Sequence, residues 1–220
     1  KPGCDHPRNR PRAGDRGRFD RGISLLTTSL NLKREIGHAG EIARTLNNLG
    51  YVSYITGENV RAVDYLNESL ELNRRTGSRR EILINIENLT AIMISAGQLR
   101  KSIALLREGL ELSREIEDTG QETLFELAMA TVLRRLGKLG EAGEVLKQVA
   151  SRVEQMSEPG AKILHWCALA NQRIVLGQSA EALEFARLAR SEAETSTDVH
   201  NRLQAVLILA RPSCHAPDRP

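Results

Sequence analysis

Glycine returns at a fixed step along this chain. Gly17, Gly57, Gly97, Gly137 and Gly177 stand 40 residues apart. A strict internal period of this length marks an array, in which each unit buries its apolar face only by stacking on its neighbours. Other positions keep the same step. Five residues after each glycine comes a small residue: Gly22, Ala62, Ser102, Ala142 and Ala182. Nine after come Leu26, Leu66, Leu106, Leu146 and then Ala186. Eight before the last four stand Leu49, Leu89, Met129 and Leu169, and one further step reaches Leu209.

Each unit reads as two helices. Residues 41–56 set Ile42, Leu46 and Leu49, with Val52 or Ser53, along one helical stripe. Gly57 then supplies a stop. Residues 59–75 set Ala62, Leu66 and Leu70 along a second stripe, flanked by Val63, Tyr65 and Leu72, with Gly77 as the next stop. Proline is absent from residues 12 to 158, as long helices require. No alternating strand pattern appears. Two antiparallel helices close to about 8–10 Å only across small contact residues. Gly50, Thr90, Ala130 and Ala170 mark that contact on the first helix of each pair; Ala62, Ser102, Ala142 and Ala182 mark it on the second.

Apolar residues make up 40% of the chain but aromatics only 3%, so the core is expected to be aliphatic. The net charge is +3, yet residues 1–20 alone carry +3 and residues 211–220 carry +1. The 190 residues between them sum to −1, which leaves no basic field to draw in nucleic acid. No apolar run approaches the roughly 18 residues of a membrane span. Three cysteines far apart, Cys4, Cys167 and Cys214, argue against a disulfide framework and fit a reducing, cytoplasmic setting. The chain opens on Lys1 rather than Met and holds only half of a first repeat, so a segment of a larger protein is one expectation.

Chemistry-bearing motifs are scarce. Cys4 and His6 near one end and Cys214 and His215 near the other match no compact zinc spacing. The triplet His165-Trp166-Cys167 sits on one helix, where adjacent residues point about 100° apart and do not converge. Trp166 is better explained as a packing residue. No phosphate loop or nucleophile elbow is present. The expectation is a protein that is not an enzyme and needs no metal or cofactor.

The recurring pattern resembles the tetratricopeptide repeat (TPR). In that family a large residue on the first helix is followed by a Leu-small pair, a turn glycine and an alanine on the second helix. Here the large position is Leu46, Ile86 and Trp166, and the pair is Leu49-Gly50, Leu89-Thr90, Met129-Ala130 and Leu169-Ala170. Gly17-Arg18-Phe19-Asp20-Arg21-Gly22 resembles the family's turn. The resemblance implies an all-α fold: a right-handed α-solenoid of antiparallel helix pairs. It divides the chain into a disordered or non-native arm (1–16), a half repeat (17–38), full repeats (41–77, 81–117, 121–157 and 161–196), a final helix (199–211) and a disordered tail (212–220). Three departures stand out. The step is 40 rather than 34, so both helices should be longer. Arg74 and Arg114 occupy the place of the family's proline. Glu126 takes the large apolar position, so its unit should pack less well.

The resemblance also implies a ligand face on the first helices, lining the concave side. Its positions are Arg44, Asn47, Tyr51, Tyr54 and Ile55; Ile84, Glu87, Ala91, Ile94 and Ser95; Leu124, Leu127, Thr131, Arg134 and Arg135; Leu164, Cys167, Asn171, Ile174 and Val175; then Gln204, Leu207 and Arg211. Asn47 and Asn171 can each donate and accept, which suits an extended peptide backbone. Tyr51 and Tyr54 offer stiff contact area. Arg134 and Arg135 suit an acidic side chain or terminal carboxylate. Tyr54 and the isoleucines equally suit packing between helices, and the arginines equally suit solvent or a carboxylate on a neighbouring helix. The function implied is a protein-interaction module that takes a peptide or helix. Two further expectations are a regulatory segment of a bacterial signalling protein (an ATPase, transcription activator or cyclase) and a scaffold that self-assembles through its uncapped ends.

Overall fold

The computed structural model describes residues 13–196 and 199–213. Its elements are α1 (Ala13–Ile36), α2 (Ala39–Ile55), α3 (Asn59–Thr76), α4 (Arg79–Ser95), α5 (Leu99–Glu115), α6 (Thr119–Arg135), α7 (Leu139–Gln155), α8 (Pro159–Val175), α9 (Ser179–Ala193) and α10 (Val199–Ser213). No strand occurs among the described residues. Of the expected arm (1–16) and tail (212–220), residues 1–12 and 214–220, with Cys4, His6, Cys214 and His215, lie outside those described, whereas 13–16 belong to α1 and 212–213 to α10. None of the described helices is long and apolar enough to cross a membrane.

The chain divides into two compact units, Lys1–Leu112 and Ser113–Pro220. In the first, α2 and α3 form the tightest pair, with α1 on α2 and α4 on α3. Three residues, Thr56-Gly57-Glu58, join α2 to α3, so the packed helices must run antiparallel. Gly57 takes φ +86°, a left-handed conformation that only glycine adopts without strain. Leu30, Leu46 and Leu49 make the buried centre, with Ile23, Leu26, Ile42, Tyr65 and Leu72 around them. Gly50 marks the closest approach: a Cβ there would meet Leu66 Cγ at 2.6 Å and the Ala62 carbonyl at 3.2 Å. In the second unit α6 pairs with α7 and α8 with α9, while α10 lies on α8 and α9.

Ion pairs repeat with the array. Arg34 reaches Glu68 at 2.5 Å and Arg74 reaches Glu108 at 2.6 Å, each joining the second helices of successive repeats. Arg74, one of the arginines at the place of the family's proline, therefore carries a bond of its own. At exposed positions such pairs contribute under about 1 kcal/mol each.

Two local expectations differ from the structure. Gly17 lies inside α1 rather than at a turn, because α1 already begins at Ala13. Helix α10 continues to Ser213, past Pro212; a proline in a last turn forfeits one backbone bond without ending the helix at once. Glu126 is half-buried, and its neighbour Phe125 supplies the large core side chain of that repeat.

The turn between paired helices and the next repeat uses Gly37 and then Gly77, both at positive φ. The third such turn places Glu117 at φ +57° instead. A left-handed conformation strains a residue with a Cβ by about 1–2 kcal/mol, partly offset by the freedom a glycine loses on folding. Glu117→Gly is therefore expected to raise stability by about 0.5–1 kcal/mol. Urea unfolding of the two chains measures it; an unchanged or lower midpoint would mean the turn is not strained.

Candidate partner-binding site

In the first unit the positions expected to face a ligand lie on α2 and α4. Beneath them lies a buried polar chain that the period alone does not reveal. Ser69 on α3 donates to the Ala43 carbonyl at 2.7 Å and accepts from Asn85 Nδ2 at 3.0 Å. Asn73 Nδ2 donates to Asn85 Oδ1 at 2.7 Å. Asn85 Nδ2 and Asn88 Nδ2 both donate to Asn47 Oδ1 at 3.0 Å. Ser69, Asn73 and Asn85 are buried, whereas Asn47 and Asn88 are half-buried at the surface end of the chain. Asn47 Nδ2 and Asn88 Oδ1 have no partner among the described residues. One donor and one acceptor thus stand side by side on neighbouring helices.

Around this pair, Tyr51 is 48% exposed, and Ile84 and Glu87 are exposed. Tyr54, Ile55 and Ile94 are half-buried, and Ala91 and Ser95 are exposed. Arg44 is held at 3.1 Å from Glu41. A hydrogen bond from Lys33, then the charges of Arg44 and Lys33, hold the Glu41 carboxyl below the usual range.

The second unit treats the same positions differently. Leu127 was expected on the ligand face but is buried with Ala130, Leu146, Val149, Val153 and Ala168. Cys167 is buried as well, beside Ile208. The physical reason is a register of first-helix pairs. Asn47 meets Asn88, and two repeats later the equivalent pair is Leu127 with Ala168, then Cys167 with Ile208. Two amides stay at the surface to keep their free groups solvated, while apolar pairs close and leave water. Thr131 is half-buried, its hydroxyl donating to the Leu127 carbonyl at 3.1 Å. Asn171 donates to the Cys167 carbonyl at 2.8 Å. Arg134, Ile174, Leu124 and Leu164 are half-buried, Arg135 and Val175 are exposed, and on α10 Gln204 is half-buried and Leu207 exposed. The side chain of Arg211 lies outside the described residues.

Two other features belong to the second unit. Glu122 and Glu126 on α6 face Arg152 of α7 and Arg114 at the end of α5. Arg114 lies 2.7 Å from Glu122, and Arg152 bonds Glu126 directly. Burial raises the Glu126 carboxyl pKa above its ordinary value, against the pull of Arg152. Beside α7 and α8 lies a cavity of about 220 Å³, lined by Leu146, Val153, Trp166 and Leu169 among others, with Lys147 and Lys162. Trp166 stacks on Phe185 with ring centroids 5.9 Å apart, consistent with its role as a packing residue. Among the described residues no cluster of His, Cys, Asp and Glu is arranged to hold a metal ion.

Residues 41–115 match the tetratricopeptide repeat family model. No curated protein matches the chain. Solved structures do: 45 chains match. One holds the nearly identical TPR-like repeats of a Podosopora anserina protein provisionally designated a kinesin light chain. It is 18% identical, with a TM-score of 0.62 over 84% of this chain and 92% of that one. At that identity the likeness is one of fold. Repeats of this type serve as protein-interaction modules. The ten helices of the described residues, their pairing and the matched segment agree: the fold is an all-α array of helix pairs like that of tetratricopeptide-type repeats, and the family model itself matches residues 41–115.

Proposed function

We propose that the chain binds an extended peptide segment of a partner protein on the face formed by its first helices, centred on α2 and α4. The observation that carries this reading is the free Asn47 Nδ2 donor beside the free Asn88 Oδ1 acceptor. A peptide group offers one acceptor and one donor, so it can bond both amides at once. The buried chain through Asn85, Asn73 and Ser69 holds Asn47 in place, so little side-chain freedom is lost on binding. Tyr51 and Ile84 offer apolar contact beside the amides, while Arg44 and Glu87 give both signs of charge at the edge. In the second unit, Thr131, Arg134, Arg135, Asn171 and Ile174 are the equivalent contact set, with the arginines suited to acidic side chains.

Selection of peptides from a displayed library against the 220-residue chain supplies the ligand for a test. Tyr51→Ala and Asn47→Ala are each expected to weaken the selected peptide about tenfold, the effect of removing one contact residue worth 1–2 kcal/mol. Circular dichroism checks that each variant stays helical. Peptides that bind both variants as tightly as the parent chain would place the site elsewhere.

A further inference from the structure

The 40-residue register shows why the second unit holds a cavity between α7 and α8. Leu146, Ala150 and Val153 stand along one face of α7, and Lys162, His165, Trp166 and Leu169 along one face of α8. These two stripes line the cavity of about 220 Å³. Ala150 is in register with Leu30 and Leu70, both buried, and Lys162 is in register with Ile82, buried as well. In the first unit the α3 and α4 positions thus carry two large apolar side chains. In the second unit an alanine methyl and a lysine stem take their place. Packing that lacks a leucine's branches and does not collapse leaves a cavity.

The walls are apolar apart from a few groups placed together. His165 is 3% exposed, and its Nδ1 has no hydrogen-bond partner among the described residues. Buried polar atoms are as a rule hydrogen-bonded, so an orphan beside a cavity points to a partner from outside the chain. Lys162 precedes His165 by three residues, which puts ammonium and imidazole on neighbouring positions of one helix face. Lys147 adds a second ammonium at the exposed edge, and Glu154 adds one carboxylate. Lys147 also pairs with Glu144 at 2.9 Å, and Lys162 lies 3.9 Å from Glu192. An ammonium has three donors, so one such neighbour does not exhaust it.

We infer that this cavity is a binding site for a small carboxylate with an apolar, ring-sized body. A cavity of about 150 Å³ lined by aliphatic and aromatic side chains takes up benzene, so the larger space here takes a ring with a short acidic arm. The body lies against Leu146, Ala150, Val153 and Leu169. One carboxylate oxygen accepts from the Lys162 ammonium and the other from the His165 ring as its Nδ1–H tautomer. Two ammoniums against one carboxylate in the lining favour an anion over a cation of the same shape. The site lies wholly within the second unit and shares no residue with the proposed peptide contacts, so the two stand or fall apart.

Phenylacetate is the probe, with phenethyl alcohol as its uncharged match. Each is titrated into the isotope-labelled 220-residue chain, and the indole N–H resonance of Trp166, the only tryptophan, reports occupancy. Phenylacetate should saturate the shift with a Kd of about 1 mM or below, as about ten non-hydrogen atoms allow. Phenethyl alcohol should bind at least about fivefold more weakly. Ala150→Leu copies Leu70 of the first unit; it should fill the space and abolish the saturable shift. Lys162→Met keeps the apolar stem, and should weaken phenylacetate about tenfold while leaving phenethyl alcohol unchanged. Circular dichroism checks that both variants are folded, and Lys162→Met decides alone if the leucine does not fit. Phenylacetate that never saturates the shift overturns the proposal, as does a folded Ala150→Leu chain that binds like the parent. Equal affinity for acid and alcohol, or phenylacetate binding untouched by Lys162→Met, overturns the assignment to carboxylates.

Discussion

Lowering the pH from 7 to 4 is expected to cost the second unit about 3 kcal/mol of stability through His165 alone. His165 is 3% exposed, and its Nδ1 has no hydrogen-bond partner. Burial pushes its pKa down from 6.5 to about 4. The folded unit therefore prefers the neutral ring. That preference is fully present above pH 6.5, the value of the unfolded chain, and is lost as pH falls toward the folded value of about 4. At roughly 1.4 kcal/mol per pH unit the loss comes to about 3 kcal/mol. Glu126 acts in the opposite sense. Its raised pKa means that its protonated form favours folding, so its contribution grows as pH falls and is lost as pH rises through its folded value.

The register explains why His165 is buried without a partner, and it supplies the control. Thr45, Asn85, Phe125, His165 and Ala205 share one position in the 40-residue step, and all are buried. Each has a register partner on the preceding second helix. Lys33 donates to Thr45 at 2.9 Å and Asn73 donates to Asn85 at 2.7 Å. For His165 that partner is Val153, which offers no polar atom. His165→Phe copies the side chain that repeat three already carries and should remove most of the acid loss. Trp166, the only tryptophan, lies 5.2 Å from His165 between ring centroids and reports urea unfolding of this unit. If the parent chain and His165→Phe lose equal stability between pH 7 and 4, the acid sensitivity has another source.

The fold was legible in the sequence because its rules act on the backbone. Left-handed turns select glycine, as at Gly57, and close helix contacts select small residues, as at Gly50 against Leu66. Such constraints recur at every step and survive changes elsewhere. The site was less legible because a register position fixes burial, not chemistry. Carrying a ligand face from one repeat to the next treats Asn47 and Leu127 alike, yet the facing residue is Asn88 in one case and Ala168 in the other. The amide pair stays wet and the apolar pair closes. The signal that could have found this was cross-repeat: residues 41 apart on successive first helices face each other, so polar and apolar pairs are readable once the step is known. The buried Asn85 was hidden for a similar reason. Its stripe neighbours Ile82, Leu83 and Ile86 mark a core face, and only Ser69 and Asn73 on the helix before it signal that the core there is polar.

Asn85→Leu is expected to destabilise the first unit by about 3 kcal/mol even though it puts an apolar side chain of similar size into a buried site. The parent amide uses all of its local capacity, accepting from Asn73 and donating to Ser69 and Asn47. Removing it leaves the Asn73 amide buried with no acceptor, at roughly 1–3 kcal/mol, and weakens the bonds to Ser69 and Asn47 as well. The cost therefore lies in the stranded partners and not in the leucine. Asn73→Leu alone should cost a similar amount by stranding Asn85. The double variant should recover about 1–2 kcal/mol relative to the sum, because it leaves neither amide behind. Elsewhere the same register position accepts an apolar pair, Ala193 with Ala205, both buried. Urea unfolding of the four chains gives the cycle, and costs that simply add would mean that Asn73 and Asn85 do not act as a pair. The same variants reach the surface. Without Asn85, the Asn47 amide loses the bond that fixes it from below and keeps only that from Asn88. Affinity for a selected peptide should then fall under conditions where the variant is still folded. Stability and binding would thus trace to one buried amide, which sits beneath the proposed ligand face and would touch no ligand.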